Sequence, residues 1–257
     1  MRNCPECKEK NTITSFKYDC IFNKMCLFEK YDHLLVKNYF EFFNEKMTEE
    51  KMIQFSQEIQ SSYLKLKINI ESNYYSFPSS AEKFIKILKE FNYKIFHMTE
   101  ISYFGNFRTS KIFFDKDQHQ REGSKPENIA SELTNLYHNY FLNLSEEIWN
   151  NEERFLRLCA IFLESFFRIH PFPDGNGRTG RLFLILMGIH SKRFQFERFD
   201  IHKTDEKNYI NALRIAHKLY NHENLIKRGK AFEPLKQWLK LKLSNSETFS
   251  GIEEPPI

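Results

Sequence analysis

The strongest constraint on the fold is a run of large apolar residues that recurs every three or four positions between Asn151 and Ile169. The run contains Phe155, Leu158, Cys159, Phe162, Leu163 and Phe166. Residues with this spacing share one face of an α-helix, so the run predicts a helix with a buried stripe. Pro171 and Pro173 follow at once and end the helix, because proline lacks an amide hydrogen and disfavours helical geometry in the residue before it.

The same spacing recurs along most of the chain and predicts an all-α domain. Predicted helices cover about 48–70, the residues after Ser79 or Ser80, a segment opened by Pro126, and the ranges 151–169, 178–190, 203–221 and 230–243. Thr48 is a plausible N-cap for the first of them. Glycine and proline number only 8 each among 257 residues, which leaves few turns and favours helices over a turn-rich sandwich.

One segment departs from the helical pattern. Residues 103–125 contain a glycine, a short strand-like stretch and a polar, turn-forming stretch. The strand-like residues are Lys111, Ile112, Phe113 and Phe114. This combination predicts a small β-hairpin, or flap, inside an otherwise helical domain.

Charge and hydropathy bear on the binding partners and the cellular location of the protein. The formal net charge is +4 with basic residues scattered among acidic ones, whereas nucleic-acid binders concentrate basic residues on one face. The longest apolar run, 182–189, has the length of a buried helix rather than a membrane span. The N-terminus lacks the apolar stretch of a signal peptide, and the five cysteines are an odd number. We expect a cytoplasmic protein, or an effector delivered without an N-terminal signal, with no membrane partner.

The chain divides into three predicted parts: an N-terminal extension at 1–45, a helical domain at 46–243 and a flexible tail at 244–257. Four cysteines lie in the extension, namely Cys4, Cys7, Cys20 and Cys26. The first pair has the two-residue spacing of a zinc knuckle, whereas the second pair is separated by five residues. A structural Zn²⁺ and a set of free thiols are both compatible with this spacing.

The segment with the clearest chemistry is His170-Pro-Phe-Pro-Asp-Gly-Asn-Gly-Arg-Thr-Gly-Arg181, between two predicted helices. Gly175, Asn176 and Gly177 predict a turn with positive φ angles, whose amides form an anion nest at the start of the next helix. Arg178 and Arg181 are three residues apart and share one face of that helix. Their planar guanidinium groups suit phosphate, so the segment predicts a polyphosphate site.

Two further side chains in this segment supply reactive chemistry. Asp174 is a carboxylate beside the predicted phosphate site, and Mg²⁺ is commonly held by one or two carboxylates together with substrate phosphates. His170 ends the preceding helix, and a neutral imidazole accepts a proton from a hydroxyl near pH 7. The segment therefore combines the groups needed for phosphoryl or nucleotidyl transfer.

This segment resembles the signature of Fic proteins, His-x-Phe-x-(Asp/Glu)-Gly-Asn-Gly-Arg-x-x-Arg, with every fixed position filled. Gly105-Asn-Phe-Arg108 is similar to the Gly-x-(Phe/Tyr)-Arg that precedes the flap in that family, and 209–216 is similar to its helix beside the adenine. The resemblance covers roughly 46–243. It implies an all-α, Fic-type helical bundle with a small β-hairpin flap, here preceded by a short Cys-bearing segment.

The resemblance also implies an activity, the transfer of AMP from ATP to a Ser, Thr or Tyr hydroxyl of a target protein. His170 would deprotonate the acceptor hydroxyl, and Asp174 would hold Mg²⁺ against the α- and β-phosphates. The phosphate contacts are implied for Gly175, Asn176, Gly177, Arg178 and Arg181. Tyr209 would line the adenine pocket, although His217 stands where relatives often have Asn. The flap at Lys111–Phe114 would align the target by strand addition.

A regulatory element is also suggested. Ile70-Glu71-Ser72-Asn73 resembles the Ile-Glu-Gly-Asn of an inhibitory helix found in many Fic proteins, although Lys67 replaces the family's Ser or Thr and Ser72 its Gly. The resemblance implies that Glu71 pairs with Arg181 and blocks productive placement of the γ-phosphate. The alternative is that Glu71 simply ends an exposed helix.

Other functions stay open from sequence alone. Relatives with altered loops transfer phosphate or phosphocholine, and removal of AMP from a modified target is a further activity of this class. The complete Asp-Gly-Asn-Gly-Arg-x-x-Arg argues against a kinase-like variant, whose loop has Lys for the second Gly. A third alternative is a binding module, in which a zinc-bearing N-terminus recruits nucleic acid or protein and the helical domain only holds nucleotide. A homodimer is compatible with any of these.

Overall fold

The structure, a computed structural model, describes residues 49–97, 104–112, 123–191, 203–220 and 230–244. Several predicted features lie outside these ranges. They are the four N-terminal cysteines, Thr48, the domain boundary at 45–46, Phe113 and Phe114 of the flap, and the tail after 244.

The described residues form a helical bundle. Its helices are α1 (Glu49–Glu71), α2 (Ala81–Phe96), α3 (Ile129–Tyr140), α4 (Glu146–Asn150), α5 (Glu152–Ile169), α6 (Asn176–Ser191), α7 (Lys203–Tyr220) and α8 (Glu233–Ser244). A 3-10 turn at Pro126–Asn128 leads into α3. No strand is assigned within the described ranges, and no helix there is long and apolar enough to span a membrane.

Local side chains determine where the helices begin and end. The Ser80 hydroxyl accepts a hydrogen bond from the Lys83 amide at 3.3 Å and caps α2, while the Asn151 amide oxygen caps α5 by accepting from Arg154 at 3.0 Å. Helix α1 ends at Glu71, and Asn73, two residues later, has a φ of 59° in the left-handed region. The Tyr74 amide then bonds the Asn69 carbonyl at 3.0 Å, which is the Schellman arrangement of a helix C-terminus.

Helix α6 lies at the centre of the bundle. It contacts α1, α2, α4 and α5, and every residue from Asn176 to Gly188 is buried. A helix enclosed in this way needs apolar side chains on all sides, which explains the Leu182–Met187 run. Its neighbours supply aromatic rings, and the Phe183 ring lies 4.7 Å from Phe162 and 5.1 Å from Phe84 between centroids. The candidate loop at 170–175 thus leads into a helix that several core helices hold in place.

The helical prediction is confirmed, with three differences. The short helix α4 has no apolar periodicity of its own and was not predicted. Helix α6 begins at Asn176, two residues before the predicted start at Arg178, because its first turn is built from the Gly-Asn-Gly sequence. Of the predicted β-hairpin at 103–125, the described residues show a turn at 104–106 and irregular segments at 107–112 and 123–125.

Candidate active site

His170 lies where α5 ends, in an uncommon backbone conformation. Its φ and ψ are 48° and 63°, in the left-handed region, and its amide bonds the Phe166 carbonyl at 2.8 Å. A residue with a Cβ atom adopts this conformation only when its surroundings impose it. The conformation turns the chain out of α5, and the half-buried imidazole of His170 stands at the start of the loop.

Arg108 holds this turn in place. Its guanidinium donates to the carbonyls of His170 at 2.7 Å and Ile169 at 3.1 Å, and its own amide donates to Pro171 at 2.9 Å. The Arg108 side chain is only 3% exposed, so these charge-assisted hydrogen bonds form away from water. Arg108 therefore fixes the backbone on both sides of the His170 side chain.

The same guanidinium joins both ends of the flap segment. It donates to the Ser110 carbonyl at 2.7 Å and to the Ser124 carbonyl. Close by, the Gly123 amide bonds the Ile112 carbonyl at 3.1 Å, so residues 112 and 123 meet at the base of the predicted flap. The structure thus places Lys111 and Ile112 beside the His170 loop, while the rest of the flap lies outside the described ranges.

The N-terminus of α6 forms the other end of the loop. Gly175 has a φ of 76°, and its carbonyl accepts the first bond of the helix, from Thr179 at 2.9 Å. Asn176 and Gly177 do not have positive φ, contrary to the prediction of a three-residue nest, because they are already helical. The predicted anion site is therefore a helix N-terminus, whose leading amides lack partners within the helix and favour an anion.

Gly175 packs too closely for any side chain. A Cβ atom at this position would lie 2.4 Å from Cε2 of Phe96 and 3.0 Å from Nδ2 of Asn92. The Phe96 ring is itself stacked on Phe104, with centroids 3.9 Å apart. This stack forms a wall against which the glycine backbone lies, so both the φ angle and the close approach require glycine.

Asp174 and Arg178 form a buried ion pair. Nη2 of Arg178 lies 3.3 Å from Oδ1 of Asp174, and that oxygen also accepts the Gly175 amide. The guanidinium carbon lies 4.6 Å from the centroid of the Phe96 ring, a cation–π contact. Arg178 is fully buried, and Asp174 is 3% exposed. Arg178 therefore holds Asp174 in this structure, whereas its predicted contact with phosphate stays a prediction.

The Asn176 amide closes the loop on itself. Its oxygen accepts from the Phe172 amide at 3.0 Å, and its nitrogen donates to the Phe172 carbonyl at 2.8 Å. Both polar ends of the side chain thus brace the turn. The phosphate contact that the resemblance implies for this side chain is a separate prediction that the bracing does not test.

The predicted brake is not formed in this structure. Arg181 lies one turn into α6 and is 3% exposed, while Glu71 is exposed at the last residue of α1. Within the described ranges, no ion pair joins Glu71 to Arg181. The structure does place α1 directly against α6, so the two residues belong to neighbouring helices.

Tyr209 and His217 on α7 both take up contacts inside the protein. The Tyr209 ring is 1% exposed and packs against Trp238, at 4.9 Å between centroids, and against Phe167, at 6.0 Å. The structure therefore gives Tyr209 a position in the core, and its predicted contact with adenine has no support from its burial. Nδ1 of His217 lies 3.4 Å from the buried Glu164 carboxylate of α5.

The residues near the loop fit a metal that arrives with its substrate. Among the described residues, no three histidine, cysteine or carboxylate side chains come together to hold a metal. Asp174 alone stands beside the N-terminus of α6, where phosphates are favoured. One carboxylate plus phosphate oxygens is a common set of ligands for Mg²⁺. The predicted zinc site lies wholly outside the described residues.

Sequence reasoning gave no role to Asn92, Phe96 or Arg108, which hold the loop from other elements. Asn92 carried a detectable signal, since it interrupts an apolar stripe on α2 that includes Leu88 and Phe91. A polar residue at such a position is buried and must find hydrogen-bond partners. The partners themselves could not be predicted, because they lie far away in the chain.

Known proteins resemble this chain at its central segment. Residues 80–187 match the model of the Fic/DOC family. Among solved structures, a Fic domain containing signaling protein from Bacteroides thetaiotaomicron is similar with a TM-score of 0.52 and 18% identity, over 90% of this chain and 87% of that one. A Fic family protein from Desulfovibrio desulfuricans is similar with a TM-score of 0.51 and 14% identity, over 93% and 71%.

No curated protein matches the chain. At these identities, the two solved structures support the fold alone. The segment that matches the family model contains α2, the Arg108 turn, α5 and the first turns of α6, which together build the site described above. Residues 80–187 are therefore similar to the Fic/DOC family, and the described residues share their helical fold with the two solved structures.

Proposed function

We propose that this protein is an adenylyltransferase, which moves AMP from ATP to a hydroxyl side chain of a target protein. One observation supports this most directly. A single loop carries a histidine at the end of α5, a carboxylate, and the N-terminus of a buried helix. These are candidates for a base, a metal ligand and an anion site, which are the groups needed for transfer at a phosphate.

The proposed reaction uses each of these groups. The acceptor hydroxyl oxygen attacks the α-phosphorus of ATP, and a new P–O bond forms. The bond from the α-phosphorus to the bridging oxygen breaks, and pyrophosphate leaves with the electron pair. The hydroxyl proton passes to the His170 imidazole. The leading amides of α6 stabilise the phosphate charge that develops on the way.

Two features position these groups. Arg108 holds the His170 backbone, so the imidazole is placed before any substrate arrives. When Mg²⁺ is bound, Asp174 would hold it against the phosphates, where it supplies charge neutralisation. Proteins of the Fic family generally transfer a nucleoside monophosphate to other proteins, which supports the same reaction here.

The test uses ATP labelled at either the α- or the γ-phosphate, with Mg²⁺ and cell lysate. We expect protein bands labelled from the α-position only, and no labelling by His170→Ala. His138→Ala is the matched control, because His138 is an exposed histidine on α3. Label from the γ-position only would instead mean a phosphotransferase. If no band appears with any donor and the protein holds zinc, the binding module becomes the better description.

We also propose that Glu71 lowers the activity of the ATP-bound protein. Glu71 ends α1, which packs on the helix that carries Arg181, and its exposed carboxylate is available for a new ion pair. Glu71→Gln keeps the shape and removes the charge, so it should increase labelling. Glu58→Gln, on the same helix, is the control. Equal labelling by Glu71→Gln and the wild type would exclude a brake at this position.

A further inference from the structure

Asn92 is a fully buried polar residue at the centre of the bundle. It lies next to Phe91, just before the last turn of α2, and its side chain has no exposure to solvent. A buried amide is costly unless its oxygen and nitrogen are both hydrogen-bonded. Its partners therefore indicate what the residue holds together.

The partners belong to three separate segments. Nδ2 of Asn92 donates to the Asp174 carbonyl at 2.8 Å and lies 3.4 Å from the Thr179 hydroxyl in the first turn of α6. Oδ1 accepts the Gly105 amide at 2.9 Å, in the turn before the flap. Because only the oxygen can accept from an amide, these contacts fix which way the side chain points.

The bond to Asp174 acts at the proposed metal ligand. Asn92 holds the Asp174 carbonyl, and the neighbouring Gly175 lies against Asn92 and Phe96 with no room for a Cβ atom. The backbone at 174–175 is thus held from one side by Asn92, while Arg178 holds the Asp174 carboxylate. The direction of that carboxylate depends on the backbone that Asn92 anchors.

The geometry points to Asn92 as a positioning residue that sets the Asp174 carboxylate for Mg²⁺ carried by ATP. The inference rests on the proposed function, because it takes Mg²⁺–ATP as the ligand. Asn92 does not touch the nucleotide and acts through Asp174. Loss of a residue that orients a metal ligand commonly weakens metal binding or activity by roughly 10- to 100-fold. The same amide connects the metal side of the loop to the Gly105 turn.

The experiment measures ATP binding by calorimetry, once with Mg²⁺ and once with EDTA. The ratio of the two affinities reports what Mg²⁺ adds, independently of any transfer activity. In the wild type we expect Mg²⁺ to strengthen binding, and Asp174→Asn to remove the gain. Asn92→Asp keeps the shape and the acceptor but removes both donors. It should reduce the Mg²⁺ gain by roughly 10-fold or more, with little change in EDTA.

A second variant and a control distinguish a selective loss of the Mg²⁺ effect from a general loss of structure. Asn92→Leu has a similar size and adds no buried charge, so it should show the same selective loss. Leu88→Ala, one turn earlier on α2, removes core packing without touching the loop. Circular dichroism and thermal melts establish that each variant is folded. A general loss of structure lowers the fraction of binding-competent protein in both buffers and leaves the affinity ratio unchanged.

The outcomes separate the two proposals. If the wild type binds Mg²⁺–ATP and both Asn92 variants keep the wild-type ratio, the positioning role is wrong and the proposed function stands. If the variants lose affinity equally in both buffers, Asn92 is a structural residue only, and the inference also fails. If the wild type gains nothing from Mg²⁺, the proposed function fails, and the role of Asn92 fails with it.

Discussion

Gly175→Ala tests the conformation and packing of the loop most directly, because two independent features of Gly175 exclude a side chain. Its φ of 76° lies in the left-handed region. A Cβ atom would also lie 2.4 Å from Phe96, whose ring is stacked on Phe104 and lies under the Arg178 guanidinium. The ring is therefore held on both faces and cannot move aside at low cost.

The size of the effect follows from these two features. The left-handed conformation costs a residue with a Cβ atom about 1–2 kcal/mol. Inserting a methyl group into a packed site adds about 1–3 kcal/mol. The smaller conformational freedom of alanine in the unfolded chain returns about 0.4–1 kcal/mol. The net loss is about 3 kcal/mol, or roughly 6–12 °C in melting temperature for a domain of this size.

Gly180→Ala, within the adjoining helix α6, is the matched control. A Cβ atom there would lie 3.3 Å from Phe166, a tight contact that a small shift relieves, and the backbone is helical. Alanine gains about 0.8–1 kcal/mol over glycine within a helix, so this variant should stay within about 1 kcal/mol of the wild type. Urea unfolding of both variants gives the comparison. Equal free energies of unfolding for the two alanine variants would refute our account of the wall at Gly175.

Three further predictions concern stability. Arg108→Met should lower the free energy of unfolding in urea by about 3 kcal/mol or more, because it leaves several carbonyls without a donor. Arg108→Lys should recover only part of this loss, since one ammonium cannot reach all of these carbonyls. A loss below about 1 kcal/mol for Arg108→Met would contradict the role of Arg108 in holding the turn. Asn151→Ala removes the cap of α5 and should cost about 1 kcal/mol in the same assay, whereas Asn150→Ala, an exposed neighbour, should cost little. Burial raises the pKa of the Cys159 thiol well above its usual 9.0, so the folded state keeps a proton that the unfolded chain releases. The free energy of unfolding should therefore fall above about pH 9, by up to about 1.4 kcal/mol per pH unit from this group. The free energy of unfolding of Cys159→Ala should fall less steeply with pH. The same slope for the variant and the wild type would count against the burial argument.

The helices could be predicted because their signals are local. The Phe155–Phe166 stripe, the Ser80 cap and the prolines after Ile169 each act over one or two turns, and each has its expected effect in the structure. Helix α4 could not be found this way, because a five-residue helix has too few positions to show periodicity. The start of α6 was misplaced because Gly-Asn-Gly favours a turn on its own. Burial in the core extends the helix through it.

In the candidate site, too, features that depend on neighbouring residues could be predicted, whereas contacts between distant residues could not. The candidate groups lie in one segment, so they could be identified from residue types and spacing, and their chemistry stays a prediction. Their geometry depends on Arg108, which is 62 residues from His170, and on Asn92, which is 82 residues from Asp174. Nothing local in the sequence connects these pairs. The packing of Tyr209 against Trp238 was likewise not predicted, while its contact with adenine stays a prediction.

The contacts of the loop also explain why its residue types are needed in the folded protein before any nucleotide binds. Asn176 braces the turn through Phe172, Gly175 fits against Phe96, and Arg178 neutralises the buried Asp174. A buried carboxylate without a partner is strongly disfavoured, so the contact with Arg178 stabilises Asp174 at the point where a cation is proposed to bind. A cation that binds there would share the Asp174 carboxylate with Arg178. If the proposed site holds nucleotide, we expect its affinity to depend on the contacts of Arg178 with the Asp174 carboxylate and of Asn92 with the Asp174 carbonyl.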